Sequence, residues 1–299
     1  MTSRREYALG VSYLVLTALC WGFVASTVKR LTQHVDPYTI SFFRVFLAAI
    51  VFAVMLSKRG LRGLPWLLPW TLAGVVGRSG NYLLYNAGLT YMPSNAVTIL
   101  APVQAVGTVL LARWFLGERV RHKWLGLLLS VAGLLLIWWS GQGWETLLDP
   151  RYALGNTLFV LAGLASALQF TSQKALSARF SGVQILFPVF VLSSAVTAPV
   201  ALTAGDLGSL YPPLAWVLLL FLGLVLTGGS FYFLGQGYKR CDASTAVVIT
   251  NTSTFLTLFW SWVLLHERVS VAMIAGAILG VAGAVMAVNA DRNTAASRT

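Results

Sequence analysis

Residues 95–120 read NAVTILAPVQAVGTVLLARWFLGERV, and residues 244–269 read STAVVITNTSTFLTLFWSWVLLHERV. The two stretches align without a gap, and both end in Leu-x-Glu-Arg-Val. The similarity continues outward: ALG at 8–10 matches ALG at 153–155, and WLGLLLSVAGLLL at 124–136 resembles IAGAILGVAGAVM at 274–286. The sequence therefore predicts two copies of one structural unit, divided into residues 1–145 and 146–299.

The composition indicates which solvent surrounds these two units. Of the 299 residues, 57% are hydrophobic and 10% are charged, and the mean hydropathy is +0.76. Soluble domains carry about 25% charged residues, so this chain has too little charge to cover a globule in water. We therefore expect lipid to be its main solvent.

Ten apolar segments are each long enough to cross a bilayer as a helix. A helix is expected because it satisfies its backbone hydrogen bonds internally, and the segments lack the sustained alternation of a membrane barrel. The predicted fold class is an all-α integral membrane protein with ten transmembrane helices, a 5+5 inverted-topology repeat around a central cavity. The segments are about 8–28, 37–57, 66–89, 94–116, 122–140, 153–175, 183–204, 213–236, 244–265 and 270–289.

The distribution of basic residues predicts how the chain lies in its membrane. The formal net charge is +12, and short loops hold most of the basic residues, which favours membrane orientation over nucleic-acid binding. With a cytoplasmic N-terminus, 14 of the 21 Lys and Arg residues face the cytoplasm, 4 face the other side and 3 lie within spans. This bias predicts a multi-pass protein of the cell inner (plasma) membrane with both termini cytoplasmic. Five spans per unit would invert the second unit relative to the first, as in many secondary transporters.

The sequence lacks the usual motifs for catalysis or metal binding. It holds no GxxxxGK[ST], HExxH or GxSxG motif, and Cys20 and Cys241 have no metal-ligand spacing. We therefore predict neither an enzyme nor a bound cofactor or metal. All nine acidic residues fall in loops or at span ends, whereas proton-driven transporters usually carry a titratable group within the membrane. This pattern favours facilitated diffusion or exchange over proton antiport through a carboxylate.

Two of the three arginines within predicted spans lie well away from the span ends, where a charge is costly. Arg78 lies near the middle of the third span, in GVVGRSGNYLLYNAGL (74–89), and Arg44 lies about a third of the way into the second. A central arginine costs about 2.5–3.5 kcal/mol even on low scales, so it needs an anion, a carbonyl group or water beside it. Either residue could attract a substrate carboxylate or could tie down the carbonyl groups of broken helices.

Aromatic and amide side chains supply further candidates for a substrate surface. Residues 78, 81, 82 and 85 follow the spacing of one helical face. Aromatic rings could stack on a planar or apolar cargo, and amides could bind a zwitterion, although both types also serve ordinary helix packing. The predicted substrate-binding residues are Asn81, Tyr82, Tyr85, Arg78, Trp21, Tyr38, Arg44, Gln104, Gln169, Phe231 and Asn251.

Proline and glycine in the same spans indicate where a helix could bend. Proline removes a backbone donor, and glycine permits either bending or close packing, two alternatives that the sequence leaves open. The predicted hinge or kink positions are Pro102, Pro188, Gly77, Gly80, Gly228 and Gly229.

Together these features resemble the drug/metabolite transporter superfamily, in its EamA-type branch of ten-helix exporters. The resemblance covers about 8–290 and includes FFRVFLAA (42–49), YNAGLTYMPSNAVTILAP (85–102) and the two Glu-Arg-Val motifs. Within the superfamily, the chain is most similar to YddG-like exporters of aromatic and other neutral amino acids. The family implies a central cavity built by helices 1–4 and 6–9, with helices 5 and 10 at the periphery.

The expected function is a secondary exporter of small metabolites that works by alternating access, with aromatic and other neutral amino acids as first candidates. Export of drugs, purines or other metabolites is the alternative. A non-transporting membrane scaffold is disfavoured by the inverted repeat and by the polar residues on the cavity helices. The expected partners are a small-molecule substrate and the lipid bilayer, with no nucleic acid, and the chain is expected to be a monomer or weak dimer.

Overall fold

The computed structural model describes residues 4–57, 63–117, 124–140, 150–241 and 249–296. Within these ranges the secondary structure is helical and includes no strand. The predicted division between residues 145 and 146 lies outside the described residues. The helices, in chain order, are α1 Arg4–Leu31, α2 Pro37–Leu56, α3 Pro69–Tyr91, α4 Leu100–Leu116, α5 Trp124–Ser140, α6 Pro150–Ser177, α7 Gly182–Thr203, α8 Pro213–Tyr238, α9 Ser253–Leu265 and α10 Val271–Ala296.

Six helical stretches among the described residues are long and apolar enough to cross a membrane. Helix α3 is also 23 residues long but is more polar, because it carries Arg78, Asn81 and Asn86. Each of the ten apolar segments predicted from the sequence overlaps one of the helices, so the predicted all-helical fold is confirmed for the described residues. The six stretches are Arg4–Leu31, Pro37–Leu56, Ser94–Leu116, Tyr152–Ser177, Gly182–Thr203 and Pro213–Tyr238.

Local sequence signals set the ends of several helices. Asp36 accepts hydrogen bonds from the backbone N–H groups of Tyr38 and Thr39 at 2.9 Å, and Pro37 occupies the start of α2. At the end of α4, Gly117 adopts the left-handed conformation (φ 68°), which glycine reaches without a steric penalty from Cβ.

The helices pack in pairs that join the two halves of the chain. Helix α6 packs against α3 and α4, α1 against α8 and α9, α2 against α7, and α5 against α10. If each helix of α1–α5 is exchanged with its counterpart in α6–α10, the same set of packed pairs results. For example, the α3–α6 pair becomes the α8–α1 pair. Glycine permits two of the closest approaches: a Cβ on Gly77 of α3 would lie 2.6 Å from the Ala165 carbonyl oxygen of α6, and one on Gly133 of α5 would lie 2.5 Å from the Gly280 backbone nitrogen of α10.

Helix α8 is irregular over Phe221–Gly229, where its turns widen to π-helical geometry. Segments of this kind occur frequently at functional sites. Two predicted hinge residues, Gly228 and Gly229, form the end of the segment. A Cβ on Gly228 would lie 2.8 Å from Val51 of α2. Gly228 therefore serves a close contact between α8 and α2 in addition to lying in the irregular segment.

The other predicted hinge positions lie in regular or terminal parts of helices. Pro102 lies in the first turn of α4, directly after the tight 3-10 turn Ser94–Ile99, where its missing N–H breaks no bond in the middle of a helix. Pro188 is buried inside α7. On α3, Gly77 packs against the backbone of α6, whereas the nearest atom to a Cβ on Gly80 would be 3.5 Å away. Bending at these positions stays a prediction.

A carboxylate that follows α9 holds the 3-10 turn Ser94–Ile99, which precedes α4. Glu267 Oε1 accepts a hydrogen bond from Ser94 N at 2.7 Å, and Oε2 accepts from Asn95 N and Ser94 Oγ at 2.9 Å. We call Glu267, Ser94 and Asn95 the Glu267 latch. Its counterpart in the sequence repeat, Glu118, belongs to the first Glu-Arg-Val motif and lies outside the described residues.

Candidate functional site: a buried arginine–aromatic cluster

Arg44 of α2 is buried in the protein core. It is 7% exposed, and its Nε donates a hydrogen bond to Thr227 Oγ1 at 3.1 Å. Its guanidinium carbon lies 3.9 Å from the centre of the Tyr82 ring and 5.4 Å from that of Tyr85. Nη1 is buried without a hydrogen-bond partner among the described residues. Ring contacts stabilise such a cation by about 0.5–2 kcal/mol each, which is less than the several kcal/mol that burial of an unpaired charge costs.

Arg78 of α3 is even more deeply buried, with 3% of its surface exposed. Its Nη1 donates a hydrogen bond to Tyr82 Oη at 3.0 Å. Its guanidinium carbon lies 4.3 Å from the ring centre of Phe231, 4.8 Å from that of Phe190 and 5.1 Å from that of Tyr82. In the part of the chain that the structure describes, Nε and Nη2 have no hydrogen-bond partner. These two groups form one edge of the guanidinium, and such an edge can bind a carboxylate through two parallel hydrogen bonds.

The two guanidinium groups share one aromatic enclosure, because both lie against the Tyr82 ring. Helices α2 and α3 come from the first half of the chain, and α7 and α8 come from the second. The enclosure therefore lies where the two halves meet. We call it the arginine–aromatic cluster, and its members are Arg44, Arg78, Tyr82, Tyr85, Phe190 and Phe231.

Every acidic side chain that the structure describes lies outside this cluster. Glu6 pairs with Arg240 at 2.9 Å, Asp36 caps α2, Glu267 forms the latch, and Asp206 lies in the connection between α7 and α8. Neither guanidinium group of the cluster donates to a carbonyl oxygen of the described residues, which argues against the carbonyl-tying alternative. The cluster therefore holds two positive charges that no described carboxylate neutralises.

Hydroxyl, amide and indole groups border the cluster. Asn86 Nδ2 donates to Ser41 Oγ at 2.8 Å, which joins α3 to α2. Asn86 Oδ1 is buried without a partner among the described residues. On α1, Trp21 Nε1 donates to Ser230 Oγ at 3.1 Å, and its indole ring lies 5.8 Å from the ring of Phe231. The border thus offers neutral hydrogen-bonding groups and a further aromatic surface.

The structure brings about half of the predicted binding residues together. Trp21 borders the cluster through its contact with Phe231. The predicted residues inside the cluster are Arg44, Arg78, Tyr82, Tyr85 and Phe231.

The predicted amides on α3, α4 and α6 lie instead at helix contacts. Asn81 donates to a backbone carbonyl oxygen of α6 at 2.9 Å, although its spacing matches that of the clustered residues of α3. Gln104 accepts a hydrogen bond from Ser166 Oγ at 2.7 Å, which joins α4 to α6. Gln169 is buried in α6 and donates to Gln173 at 3.2 Å. A role for these amides in substrate binding stays a prediction.

Two further predicted residues lie apart from the cluster. Asn251 lines a separate small cavity beside α4 and α10, together with Thr98, Pro102 and Gly280. Tyr38 is half-buried in the first turn of α2. Their proposed contact with a substrate also stays a prediction.

Two residues of the site were not expected from the sequence. Phe190 stands in FPVFVL (187–192) and Thr227 in LVLTGG (224–229), where nothing in the spacing separates a site residue from ordinary helix packing. Phe190 and Thr227 contact the arginines only because α7 and α8 pack against α2 and α3 in the tertiary structure. The glycine pair that follows Thr227 was the one local signal near it.

Comparison with known protein families decides the assignment. Residues 8–139 and residues 153–289 both match the model of the EamA-like transporter family, and these two matches cover most of the chain. The chain belongs to the EamA-like transporter family. The resemblance to the EamA-type branch of the drug/metabolite transporter superfamily is thereby confirmed, whereas the finer similarity to YddG-like exporters stays a prediction. This EamA-like protein is a membrane transporter rather than an enzyme.

Curated relatives of the EamA-like chain include transporters with and without a named cargo. The uncharacterised inner membrane transporter YhbE of Escherichia coli is 26% identical over 86% of this chain and 82% of that protein. A probable terminal-alkyne amino-acid exporter of Streptantibioticus cattleyicolor is 26% identical over 92% of each chain. The pseudopaline exporter CntI of Pseudomonas aeruginosa is 25% identical over 92% of this chain and 94% of that protein.

A crystal structure of another protein has the same fold. It matches with a TM-score of 0.69 and covers 97% of this chain and 99% of its own, at 21% sequence identity. At this identity the match concerns the fold alone.

Proposed function

We propose that this EamA-like protein is a secondary exporter of small metabolites with ten transmembrane helices in a 5+5 inverted repeat. The first unit is residues 1–145 and the second is residues 146–299. The repeated sequence, the two matches to one family model and the helix pairs that survive exchange of α1–α5 with α6–α10 support this arrangement. We place the protein in the inner membrane, with both termini cytoplasmic, as a monomer or weak dimer.

The arginine–aromatic cluster is the proposed cargo site. The observation that carries this proposal is the pair of guanidinium groups, buried between α2 and α3 on one side and α7 and α8 on the other, without a described carboxylate. Inverted-repeat transporters bind their substrates near the bilayer midplane, where the repeats meet. Rocking of one half against the other would expose this site to each side of the membrane in turn.

Aromatic and other neutral amino acids are the first cargo candidates. The rings of Tyr82, Phe190 and Phe231 supply surfaces for a planar or apolar side chain. A relative named as an amino-acid exporter is consistent with this class, and a relative named as a pseudopaline exporter keeps other metabolites as the alternative.

Counterflow in proteoliposomes tests the exporter proposal. Vesicles are loaded with one unlabelled compound from a panel of amino acids, purines and drugs, and uptake of the same labelled compound is followed. We expect transient accumulation of at least one amino acid above the level of protein-free vesicles. Absence of counterflow for the whole panel would contradict export and would favour a scaffold.

Energy coupling provides a separate prediction. Because the described acidic side chains lie at helix ends or in connections, we expect flux that runs down the substrate gradient without a proton carrier in the membrane. Initial rates of flux should therefore be the same with and without an imposed pH gradient of about one unit. Sustained accumulation of substrate against its gradient, driven by the pH difference, would overturn this expectation.

A further inference from the structure

We propose that the arginine–aromatic cluster selects organic cargo of net negative charge and holds its carboxylate at the free edge of Arg78. The inference rests on the proposed exporter function and changes the preferred cargo from neutral amino acids to related carboxylates of net negative charge. Carboxylates without an ammonium group, such as N-acyl amino acids and arylalkanoates, are then better cargo than zwitterionic amino acids.

The first step concerns the geometry of the free donors. Arg78 uses Nη1 for Tyr82 Oη, which leaves Nε and Nη2 on a single edge without a partner among the described residues. Arg44 uses Nε for Thr227 Oγ1 and leaves Nη1 without one. A carboxylate matches the edge of Arg78 with two parallel hydrogen bonds. The two parallel N–H donors of an arginine edge match the two oxygens of a carboxylate. A lysine side chain at this position would offer a point charge without that paired geometry.

The second step concerns the charge of the occupied site. The described acidic side chains lie elsewhere, so the cluster carries two positive charges before the cargo enters. A zwitterion leaves this net charge unchanged and adds an ammonium group close to two guanidinium groups. A monoanion lowers the net charge by one in a site where solvent screening is weak. The electrostatic balance therefore favours a net-anionic cargo.

The third step concerns acceptors for a cargo ammonium group. The buried acceptors of α2, α3 and α7 that have no partner among the described residues are neutral: the amide oxygen Asn86 Oδ1 and the hydroxyl oxygens of Thr39, Ser79 and Ser193. One amide oxygen can accept from an uncharged N–H of an N-acylated cargo. It does not replace the carboxylate that buried ammonium groups usually require.

The final step concerns the body of the cargo. Phe190 and Phe231 lie with their ring centres 6.0 Å apart, and the indole of Trp21 lies 5.8 Å from Phe231. Both phenylalanine ring centres lie within 4.8 Å of the Arg78 guanidinium carbon, so these rings lie next to the group that carries the free edge. The apolar or aromatic substituent of a carboxylate bound to Arg78 would therefore be close to aromatic side chains.

A charge series on one skeleton tests the inference in the unmodified protein. Uptake into proteoliposomes is measured at about pH 6 for N-acetylphenylalanine, phenylalanine and phenylalaninamide, which are then mainly an anion, a zwitterion and a cation. Uptake by protein-free vesicles is subtracted. We expect initial rates in the order anion, zwitterion, cation, with the anion ahead of the zwitterion by about tenfold or more.

Arginine variants connect this order to the cluster. Arg78→Gln should lower uptake of the anion by about tenfold or more and should reduce its lead over the zwitterion, because the charged fork is lost. Arg78→Lys retains the positive charge but lacks the paired donors, so its rate of anion uptake should lie between those of the unmodified protein and Arg78→Gln. Arg179→Gln makes the same chemical change at an exposed position and should leave all rates unchanged.

The outcomes separate this inference from the exporter proposal. Equal or faster uptake of phenylalanine than of N-acetylphenylalanine by the unmodified protein overturns the anion preference and leaves export intact. Loss of all three cargoes in equal proportion in Arg78→Gln shows a structural role for Arg78 and also overturns it. A protein that moves none of the three and gives no counterflow contradicts the exporter proposal, and the inference falls with it.

Discussion

Replacing Glu267 with alanine is expected to release the 3-10 turn Ser94–Ile99 before α4 and to destabilise the protein by about 2–3 kcal/mol. The carboxylate accepts three hydrogen bonds, two from the backbone N–H groups of Ser94 and Asn95 and one from Ser94 Oγ. Hydrogen bonds to a charged acceptor are among the stronger ones, and the backbone donors have no other partner once the carboxylate is removed. In the proposed topology the latch lies at the external face, so its loss should also favour a state that is open on that side.

Thermal unfolding in detergent measures the stability part of this prediction. Labelling by a membrane-impermeant maleimide measures the opening, with a cysteine introduced at the buried Thr98 and the native Cys20 and Cys241 replaced by alanine. Glu267→Gln should have an intermediate effect, because it retains one amide oxygen as acceptor but loses the charge.

Glu6→Ala is the matched control for the Glu267 variant. Glu6 forms an exposed pair with Arg240, and such pairs contribute at most about 1 kcal/mol. An equal loss of stability in the two alanine variants would contradict the proposed role of the Glu267 latch. Unchanged labelling at position 98 in Glu267→Ala would contradict it as well.

Two glycines of α3 should respond in opposite directions to alanine. At Gly77 the new Cβ would lie 2.6 Å from the Ala165 carbonyl oxygen and 2.7 Å from the Gln169 backbone nitrogen. Because both neighbours are backbone atoms, α3 and α6 must separate, and overpacking of this kind costs about 1–3 kcal/mol. At Gly80 the nearest atom would be 3.5 Å away, an ordinary contact. There alanine should stabilise the helix by about 0.5–1 kcal/mol.

The pair Gly77→Ala and Gly80→Ala is its own control, since the chemical change is the same and the sites are one helical turn apart. The unfolding temperature of Gly77→Ala should fall below that of the parent protein, and that of Gly80→Ala should equal or exceed it. Transport rates from the counterflow assay add a second measurement, because a hinge at Gly80 would slow transport in Gly80→Ala without a loss of stability. Equal stability of the two variants would contradict the prediction, because it would show that α3 and α6 can move apart at Gly77 without a loss of stability.

The sequence predicted the helical segments well because lipid imposes a simple rule on them. A backbone without water must form its own hydrogen bonds, so an apolar run of sufficient length becomes a helix whatever its neighbours are. The two Glu-Arg-Val motifs and the repeated glycine-rich stretches predicted the duplicated unit, and the family model matches both halves. The orientation of the two units in the membrane stays a prediction from the basic residues.

The sequence predicted part of the arginine–aromatic cluster, and the two arginines were identified for one physical reason. Arg44 and Arg78 were identified because a charge inside an apolar segment is costly and requires partners that a packed core can supply. The amides Asn81, Gln104 and Gln169 looked similar in the sequence but bond to α6 or within it. An amide is satisfied by any nearby polar group, so its presence in a span does not indicate which neighbour it meets.

By itself, the sequence determined that the chain is a membrane protein of helices built from a repeated unit, because hydropathy and repetition are local properties. Tertiary structure alone decided that Arg44 and Arg78 share the Tyr82 ring, that Phe190 and Phe231 enclose them, and that Nε and Nη2 of Arg78 are left without a described partner. These contacts join helices from both halves of the chain, and they depend on the distance and rotation at which the helices pack. No periodicity within one helix contains that information.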